Sequence, residues 1–319
     1  MYNALIDAPK KMDRMVYTET QDPQVARYPN MKSTPSRMPP FEHLYAAVDA
    51  DLRQSLSAFR RRFKPKRSLH EGIPWDYVAL GEGGSTALFL PGAAGSYDIW
   101  WQQLTGLADD LRLISISYPP IDTLEGLSAG LNQLLQNEGV ERFHVIGSSM
   151  GGYLAQYLAS TQPDSLLSAV CANTFVPTQP VLRILPTLQI FIRLLPLPVL
   201  MTAFRWIVQH RLVPAGGDHP LLHAYLMETS FSGLTKDDLL ARSTCTMQSF
   251  TPCRVEDQSF PMLIIESAND PLIQPHIRQA LLQMYPLAQR HTFRQAGHFP
   301  YLSRADSFTA TLRSFLLDT

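Results

Sequence analysis

The stretch FHVIGSSMGGYLA, Phe143 to Ala155, decides how this chain is read. It opens on a short apolar run of strand type, Phe143 to Ile146. It closes on a run of helix type, Met150 to Ala159, that ends before Pro163. Between them lies Gly147-Ser148-Ser149-Met150-Gly151, a G-x-S-x-G. With a strand before it and a helix after it, the pattern is a nucleophile elbow, in which the central Ser149 takes a strained turn. Gly147 and Gly151 must be small because strand and helix nearly collide there. The turn exposes the Ser149 hydroxyl at the top of a sheet, and the helix N-terminus lies beneath the place where negative charge would develop. A phosphate cradle is the rival reading. It is disfavoured because neither G-x-x-x-x-G-K-[ST] nor G-x-G-x-x-G is present here.

Upstream of the elbow, Ile73 to Leu80 and Thr86 to Leu90 read as strands. Gly81-Glu82-Gly83-Gly84-Ser85 between them reads as a hairpin turn. The second strand runs into Pro91-Gly92-Ala93-Ala94-Gly95-Ser96, a small-residue loop that lets backbone N–H groups approach a ligand closely. Tyr97 to Ala108 is helical, with Ile99, Trp100, Leu104 and Leu107 on one face. Leu111 to Ser117 is a strand ending at Pro119-Pro120. A leucine stripe from Leu124 to Leu135 marks the next helix, which a capping-box pattern at Asp122 and Glu125 opens and Gly139 stops. Beyond the elbow helix comes a strand from Ser168 to Asn173. Strands alternate with helices, so the sheet is expected to be mostly parallel and flanked by helices.

The alternation breaks from about Phe175 to Ser259, a proline-punctuated region with apolar runs between the prolines. Its length and position predict a helical cap inserted after the sixth strand. The part from Val181 to Val208 is very apolar, but Arg183, Arg193 and Arg205 interrupt it, and a membrane span needs about 20 apolar residues. Alternation then resumes. Pro261 to Ile265 is a buried strand leading into Glu266-Ser267-Ala268-Asn269-Asp270-Pro271. A helix spans about Pro275 to Met284, Gln289 to Phe293 is a short strand, and the loop Arg294-Gln295-Ala296-Gly297-His298 precedes a final helix, roughly Ser303 to Leu316.

At the other end, residues 1–40 are polar and rich in proline and read as an irregular leader. Phe41, Leu44, Tyr45, Val48, Leu52, Leu56, Phe59 and Phe63 recur at steps of three and four, which predicts one amphipathic helix ended by Pro65. Its basic end, Arg60, Arg61, Arg62, Lys64, Lys66 and Arg67, reads as a solvated terminus that complements the helix dipole. The chain has 319 residues, is 45% hydrophobic and 17% charged, and carries a formal net charge of -1. That supports one large core with an inserted cap, or two modest domains, and it argues against nucleic acid as a main partner. Cys171, Cys245 and Cys253 show no motif spacing, and Met1 to Met15 has no apolar core of a signal peptide, so free thiols and a cytoplasmic location are expected.

A serine hydroxyl needs a base within hydrogen-bond reach, and the base needs an orienting group. Ser149, Asp270 and His298 supply these in the order nucleophile, acid, base. Asp270 lies just beyond a core strand, where loops at the carboxyl edge carry function. His298 would take the proton from Ser149 and pass it to the leaving group, while Asp270 would hold its tautomer. The backbone N–H groups of Met150 and Ala93 would bind the oxyanion. Glu266 competes as the acid, but it lies four positions earlier at the strand end. Ser148 competes as the nucleophile, but the glycine spacing selects Ser149. His219 and His223 are four apart without an evident third ligand, so they read as structural.

From about Trp75 to its C-terminus the chain resembles the α/β-hydrolase superfamily. Within it, the stretches ISISYPP, HVIGSSMGGYLAQYLA, CANTF and GHFPYLSRA resemble the maspardin family. That family keeps the elbow serine but lacks a histidine in its Gly-x-Phe-Pro-Tyr-Leu loop, and the resemblance alone would imply a binding role. This chain departs from it in having His298 there and Asp270 in the acid loop. The expectation is therefore an α/β-hydrolase fold acting as a serine esterase or thioesterase, with no metal and no cofactor. C–C bond hydrolases and transacylases use the same triad. The domain scheme is a leader over 1–40, the basic-ended helix over 41–67, a first core part over 68–174, a cap over 175–260 and a second core part over 261–319. The substrate expected is a small, apolar acyl compound, with membrane contact disfavoured and the oligomeric state open.

Overall fold

The computed structural model describes residues 38–176, 187, 189–231, 234–253 and 258–318. The expected leader lies outside them but for its last three residues. Eight strands form one sheet: β1 Lys66–His70, β2 Ile73–Leu80, β3 Thr86–Leu90, β4 Arg112–Ser117, β5 Phe143–Ser148, β6 Leu166–Ala172, β7 Met262–Ser267 and β8 Gln289–Phe293. Their spatial order is β1-β2-β4-β3-β5-β6-β7-β8. The β1–β2 and β2–β4 pairs are antiparallel, and every pair from β4 to β8 is parallel.

The central strands are apolar on both faces, as a sheet covered on both sides requires. Along β3, Ala87 and Phe89 enter one core while Leu88 and Leu90 enter the other, the alternation that a strand imposes. The first core is closed by helices α1 (Phe41–Leu44), α2 (Ala50–Arg62), α3 (Trp101–Leu107) and the C-terminal helix Ala305–Leu317. The second is closed by α4 (Leu124–Asn137), α5 (Met150–Thr161) and the helix Pro275–Met284. The edge strands are the polar ones: β8 is half exposed, and β1 carries Lys66 and Arg67. Charge on an edge discourages further strand pairing.

Four local expectations are corrected. No hairpin joins β2 to β3, because β4 lies between them. The glycine-rich turn is used to pass around the start of β4: a side chain on Gly81 would meet the Leu111 carbonyl oxygen at 2.1 Å, and one on Gly83 the Asp110 carbonyl oxygen at 2.1 Å. The single N-terminal helix is in fact two, with Asp49 capping α2 by accepting from the N–H of Asp51 at 2.9 Å. Tyr45 and Val48 stay buried across the break, so the apolar spacing continues where the helix does not. The basic end is not simply solvated. Lys66 and Arg67 belong to β1 and pair with Glu138 and Asp76, and Arg60 binds Asp98 and Glu228. The α4 cap is Thr123, whose hydroxyl accepts from the N–H of Gly126, rather than the box at Asp122.

Between β6 and β7 the described residues are helical: residues 189–194, Leu197–Ile207 continuing through a π turn at Val208–Leu212 into Val213–Ala215, then Pro220–Thr229 and Lys236–Met247. Most of residues 177–188 lies outside the description. Among the described residues no helix is long and apolar enough to cross a membrane. No cluster of three or more metal-binding side chains occurs among them either, and His219 and His223 stand without a third ligand.

Candidate active site

The elbow is forced by crowding. β5 ends at Ser148 and α5 begins at Met150, so the chain turns on Ser149 alone, with φ 54° and ψ −118°. A side chain on Gly147 would meet the Gly151 carbonyl oxygen at 2.1 Å, and one on Gly151 would meet the Leu90 carbonyl oxygen at 2.1 Å. Both positions therefore accept only glycine. A positive φ at a non-glycine residue costs of the order of 1–3 kcal/mol and persists where neighbours over-determine it. Here the Ser149 N–H donates to the Ala172 carbonyl at 2.9 Å, and the Thr174 hydroxyl donates to the Ser149 carbonyl at 2.6 Å. Ser148 is fully buried, whereas Ser149 is partly exposed.

The loop after β3 comes up against that turn. A side chain on Gly92 would lie 3.3 Å from Ser149 Cβ. The loop is held from three sides. Tyr118 Oη donates to the Pro91 carbonyl at 3.0 Å, and the Gly95 N–H donates to the Gly92 carbonyl at 2.9 Å. From the inserted helix Lys236–Met247, the Arg242 guanidinium donates to the Ala93 carbonyl, and more weakly to that of Tyr118 at 3.5 Å. Arg242 is only 6% exposed and makes no ion pair among the described residues; its Nε is buried without a partner. Burial lowers its pKa from the usual arginine value.

Asp270 and His298 arrive from the loops after β7 and β8, and both are buried. His298 Nδ1 and Asp270 Oδ2 are 2.8 Å apart. The other acid oxygen, Oδ1, accepts from the N–H groups of Leu272 at 2.8 Å and Ile273 at 3.0 Å. Burial works against ionisation of this carboxyl. The facing His298, the hydrogen bonds from His298 and Asn173 and the Ile273 N–H outweigh it, and the Asp270 pKa lies below its ordinary value. Glu266 is differently engaged. It accepts from Arg290 and from Thr292 on β8, the latter at 3.0 Å, in an ion-pair cluster at the sheet edge.

Ser149, Gly92, Asp270 and His298 thus all stand at the carboxyl ends of parallel strands, where ligands bind in sheets of this kind. Among the described residues no hydrogen bond joins the Ser149 hydroxyl to the His298 ring. In free enzymes such contacts are often long and tighten when substrate binds.

Sequence reasoning missed three positioning residues. Asn173, at φ 43° just past β6, donates to Asp270 Oδ2 at 2.8 Å and to the Gly297 carbonyl at 3.2 Å. Asn269 accepts from the N–H groups of Ala296 and Gly297, each at 3.1 Å, and donates to the Ala215 carbonyl of the inserted region at 2.7 Å. The acid loop and the histidine loop are therefore tied to each other twice. Asn173 lay in view within CANTF, beside a strand end, and Asn269 adjoins Asp270. Nothing local in the sequence singles out Arg242.

A family model described as alpha/beta hydrolase family matches residues 87–311. The chain is 27% identical over 239 residues to maspardin of Mus musculus, an alignment covering 72% of this chain and 74% of that one. It is 23% identical over 248 residues to a putative carbamate hydrolase, RutD, of Enterobacter cloacae, covering 72% of this chain and 91% of that one. Among solved structures, the enol-lactonase from Burkholderia xenovorans is similar with a TM-score of 0.66 at 20% identity, covering 79% of this chain and all of that one.

Proposed function

This chain belongs to the alpha/beta hydrolase family, and from that premise we propose that it is a serine hydrolase that cleaves a carboxylic ester or thioester through an acyl-enzyme on Ser149. The Ser149 oxygen attacks the acyl carbon as His298 takes the hydroxyl proton through Nε2. The oxyanion that forms is met by the N–H groups of Met150, at the start of α5, and Ala93, in the loop beside it. Helix-terminal N–H groups have no intrahelical partner, and so are free to donate. The tetrahedral species collapses as His298 returns the proton to the leaving oxygen or sulfur. Water then attacks the acyl-enzyme by the same route in reverse roles. Asp270 stays ionised throughout, holds Nδ1–H and stabilises the imidazolium. The scheme uses side chains, backbone and water, and calls on no metal or cofactor.

The observation that carries this reading is the buried contact of 2.8 Å between His298 Nδ1 and Asp270 Oδ2, at the same sheet edge as the strained Ser149. A protein that kept only the elbow for binding has no need of an oriented imidazole there. The inserted helices act as a cap over this edge, and their apolar side chains favour an uncharged acyl group of medium length. The test is treatment with a fluorophosphonate followed by intact-protein mass spectrometry. One adduct is expected in the native chain and none in Ser149→Ala. Labelling that survives in Ser149→Ala would remove Ser149 from the mechanism.

A further inference from the structure

The inserted helices are apolar on the wrong side as well as the right one. In Leu197–Ile207 and the π turn after it, Met201, Val208 and Leu212 face inward and are buried. On the opposite face Val199, Trp206 and Ile207 are exposed, with His210 and Arg211 one turn further along. The preceding helical residues 189–194 expose Ile190, Phe191 and Leu194, the last at 75%. Six of the twelve large hydrophobic side chains exposed among the described residues fall in this one stretch, from Ile190 to Ile207. Scattered single apolar residues need no explanation, but a concentration of this kind marks an interaction surface.

The charge of the stretch says what kind of partner fits. Between Asp164 and Asp218 the chain carries no carboxylate side chain, whereas Arg193, Arg205 and Arg211 lie within the described part of that interval. Arg193 and Arg211 are exposed, and Arg205 packs over the Phe231 ring at 4.9 Å. The helix Lys236–Met247 adds Lys236, which donates to the Arg193 carbonyl at 2.9 Å; of the two acids in its first turn, Asp238 is taken up in a capping box with Thr235 and Asp237 is exposed. In a protein of formal net charge -1, positive charge is thus gathered around one apolar face. A second copy of this chain fits poorly, since a two-fold contact would set these arginines against themselves with no carboxylate in the patch to pair with. An anionic lipid surface meets both requirements. Its headgroups attract arginine, and its acyl boundary accepts tryptophan, phenylalanine and leucine from a helix lying in the interface plane.

We propose that the outer face of the cap, residues 190–211, docks on an anionic phospholipid surface. This takes up a reading that the sequence disfavoured, and it stands independently of the hydrolytic reading.

The molecule carries its own reporter. Trp75, Trp100 and Trp101 are buried, and Trp206 alone of the four tryptophans is exposed, at 56%. The full chain would be mixed with vesicles of equal parts phosphatidylcholine and phosphatidylserine, and separately with phosphatidylcholine alone. With the anionic vesicles, emission should shift to shorter wavelength and be quenched by brominated lipid chains, and both changes should vanish in Trp206→Phe. Arg193→Ser and Arg211→Ser should each weaken partitioning by roughly fivefold, the equivalent of ~1 kcal/mol for a basic residue near an anionic surface. Phe191→Asp with Leu194→Asp should abolish binding while leaving the melting temperature and near-ultraviolet circular dichroism unchanged, since both residues are exposed. Three results would overturn the proposal. One is no spectral shift at low salt. Another is undiminished binding by the double aspartate variant. The third is light scattering that shows a dimer dispersed by those substitutions, which would assign the face to a second copy.

Discussion

The sheet edge that bears Ser149 and the helices inserted above it are built on opposite principles. At the edge, each loop is fixed by short, named contacts: Asn173 and Asn269 join the acid and histidine loops, Thr174 and Ala172 clamp the elbow, and glycines stand where no side chain fits. In the inserted helices the outer face is open and partly apolar, and the polar bonds are made on the inner side, where Glu228 meets Arg60, Tyr225 meets Asp98 and Arg242 meets the Ala93 carbonyl. The difference teaches where to look for each property. On the proposed function, chemistry belongs to the edge, and the choice of substrate and of surface belongs to the insertion.

The sharpest way to break this division is through the acid. Asp270→Asn should lower kcat by roughly the 10⁴-fold expected when the histidine takes the wrong tautomer. Glu266→Gln should leave kcat nearly intact and act instead on the melting temperature, because it frees Arg290 and Arg278 at the sheet edge. Steady-state kinetics beside thermal melts of the two variants separates the roles, and an exchange of effects would move the acid to Glu266.

Arg242 is where the two regions meet. If it positions the loop that carries Ala93, Arg242→Gln should cost about 10²-fold in kcat with KM little changed, comparable to losing one oxyanion donor. Arg242→Lys should restore part of the loss. A change confined to KM would instead make Arg242 a contact for the substrate.

A smaller effect is expected from the insertion alone. Across p-nitrophenyl esters from acetate to decanoate, kcat/KM should rise by up to roughly fourfold per added methylene, the equivalent of ~0.8 kcal/mol of burial, before it levels off. A steady fall with chain length would mean that the apolar side chains of the cap are only core.

Smallest is the effect of pH on stability. The folded Asp270 pKa lies below its ordinary 3.8 because His298, Asn173 and the Ile273 N–H together outweigh the cost of burial. The unfolded chain therefore takes up the proton first as pH falls. The stabilisation is complete above the ordinary value and is lost as pH drops through 3.8 towards the folded value. Over that interval the melting temperature of the native chain should fall more steeply than that of Asp270→Asn. Parallel curves would mean that the pair contributes nothing to stability.

What could be read from the sequence follows the same division. The elbow turn and the loops after β3, β7 and β8 were legible as turns at strand ends because each is marked by residues a few positions apart. The β2–β3 hairpin was misread because a turn signal cannot reveal that a later strand, β4, slips between its neighbours. The break in the N-terminal helix was hidden because Tyr45 and Val48 face the core on either account, although Asp49 before Ala50 is an N-cap in plain view. Arg60 looked like one of a solvated basic run; its partners Asp98 and Glu228 are supplied by distant parts of the chain. Arg242 reaches its carbonyl across 149 positions, and no spacing rule spans that distance.

The central claim, that Ser149 carries the acyl group, is tested most directly by rapid acid quench of the enzyme with a p-nitrophenyl ester, followed by mass spectrometry of the digested chain. The account predicts a transient mass increase equal to the acyl group on the peptide that contains Ser149, absent in Ser149→Ala, with deacylation slowed in His298→Gln. Turnover without any acyl adduct, or an adduct on another residue, would contradict it.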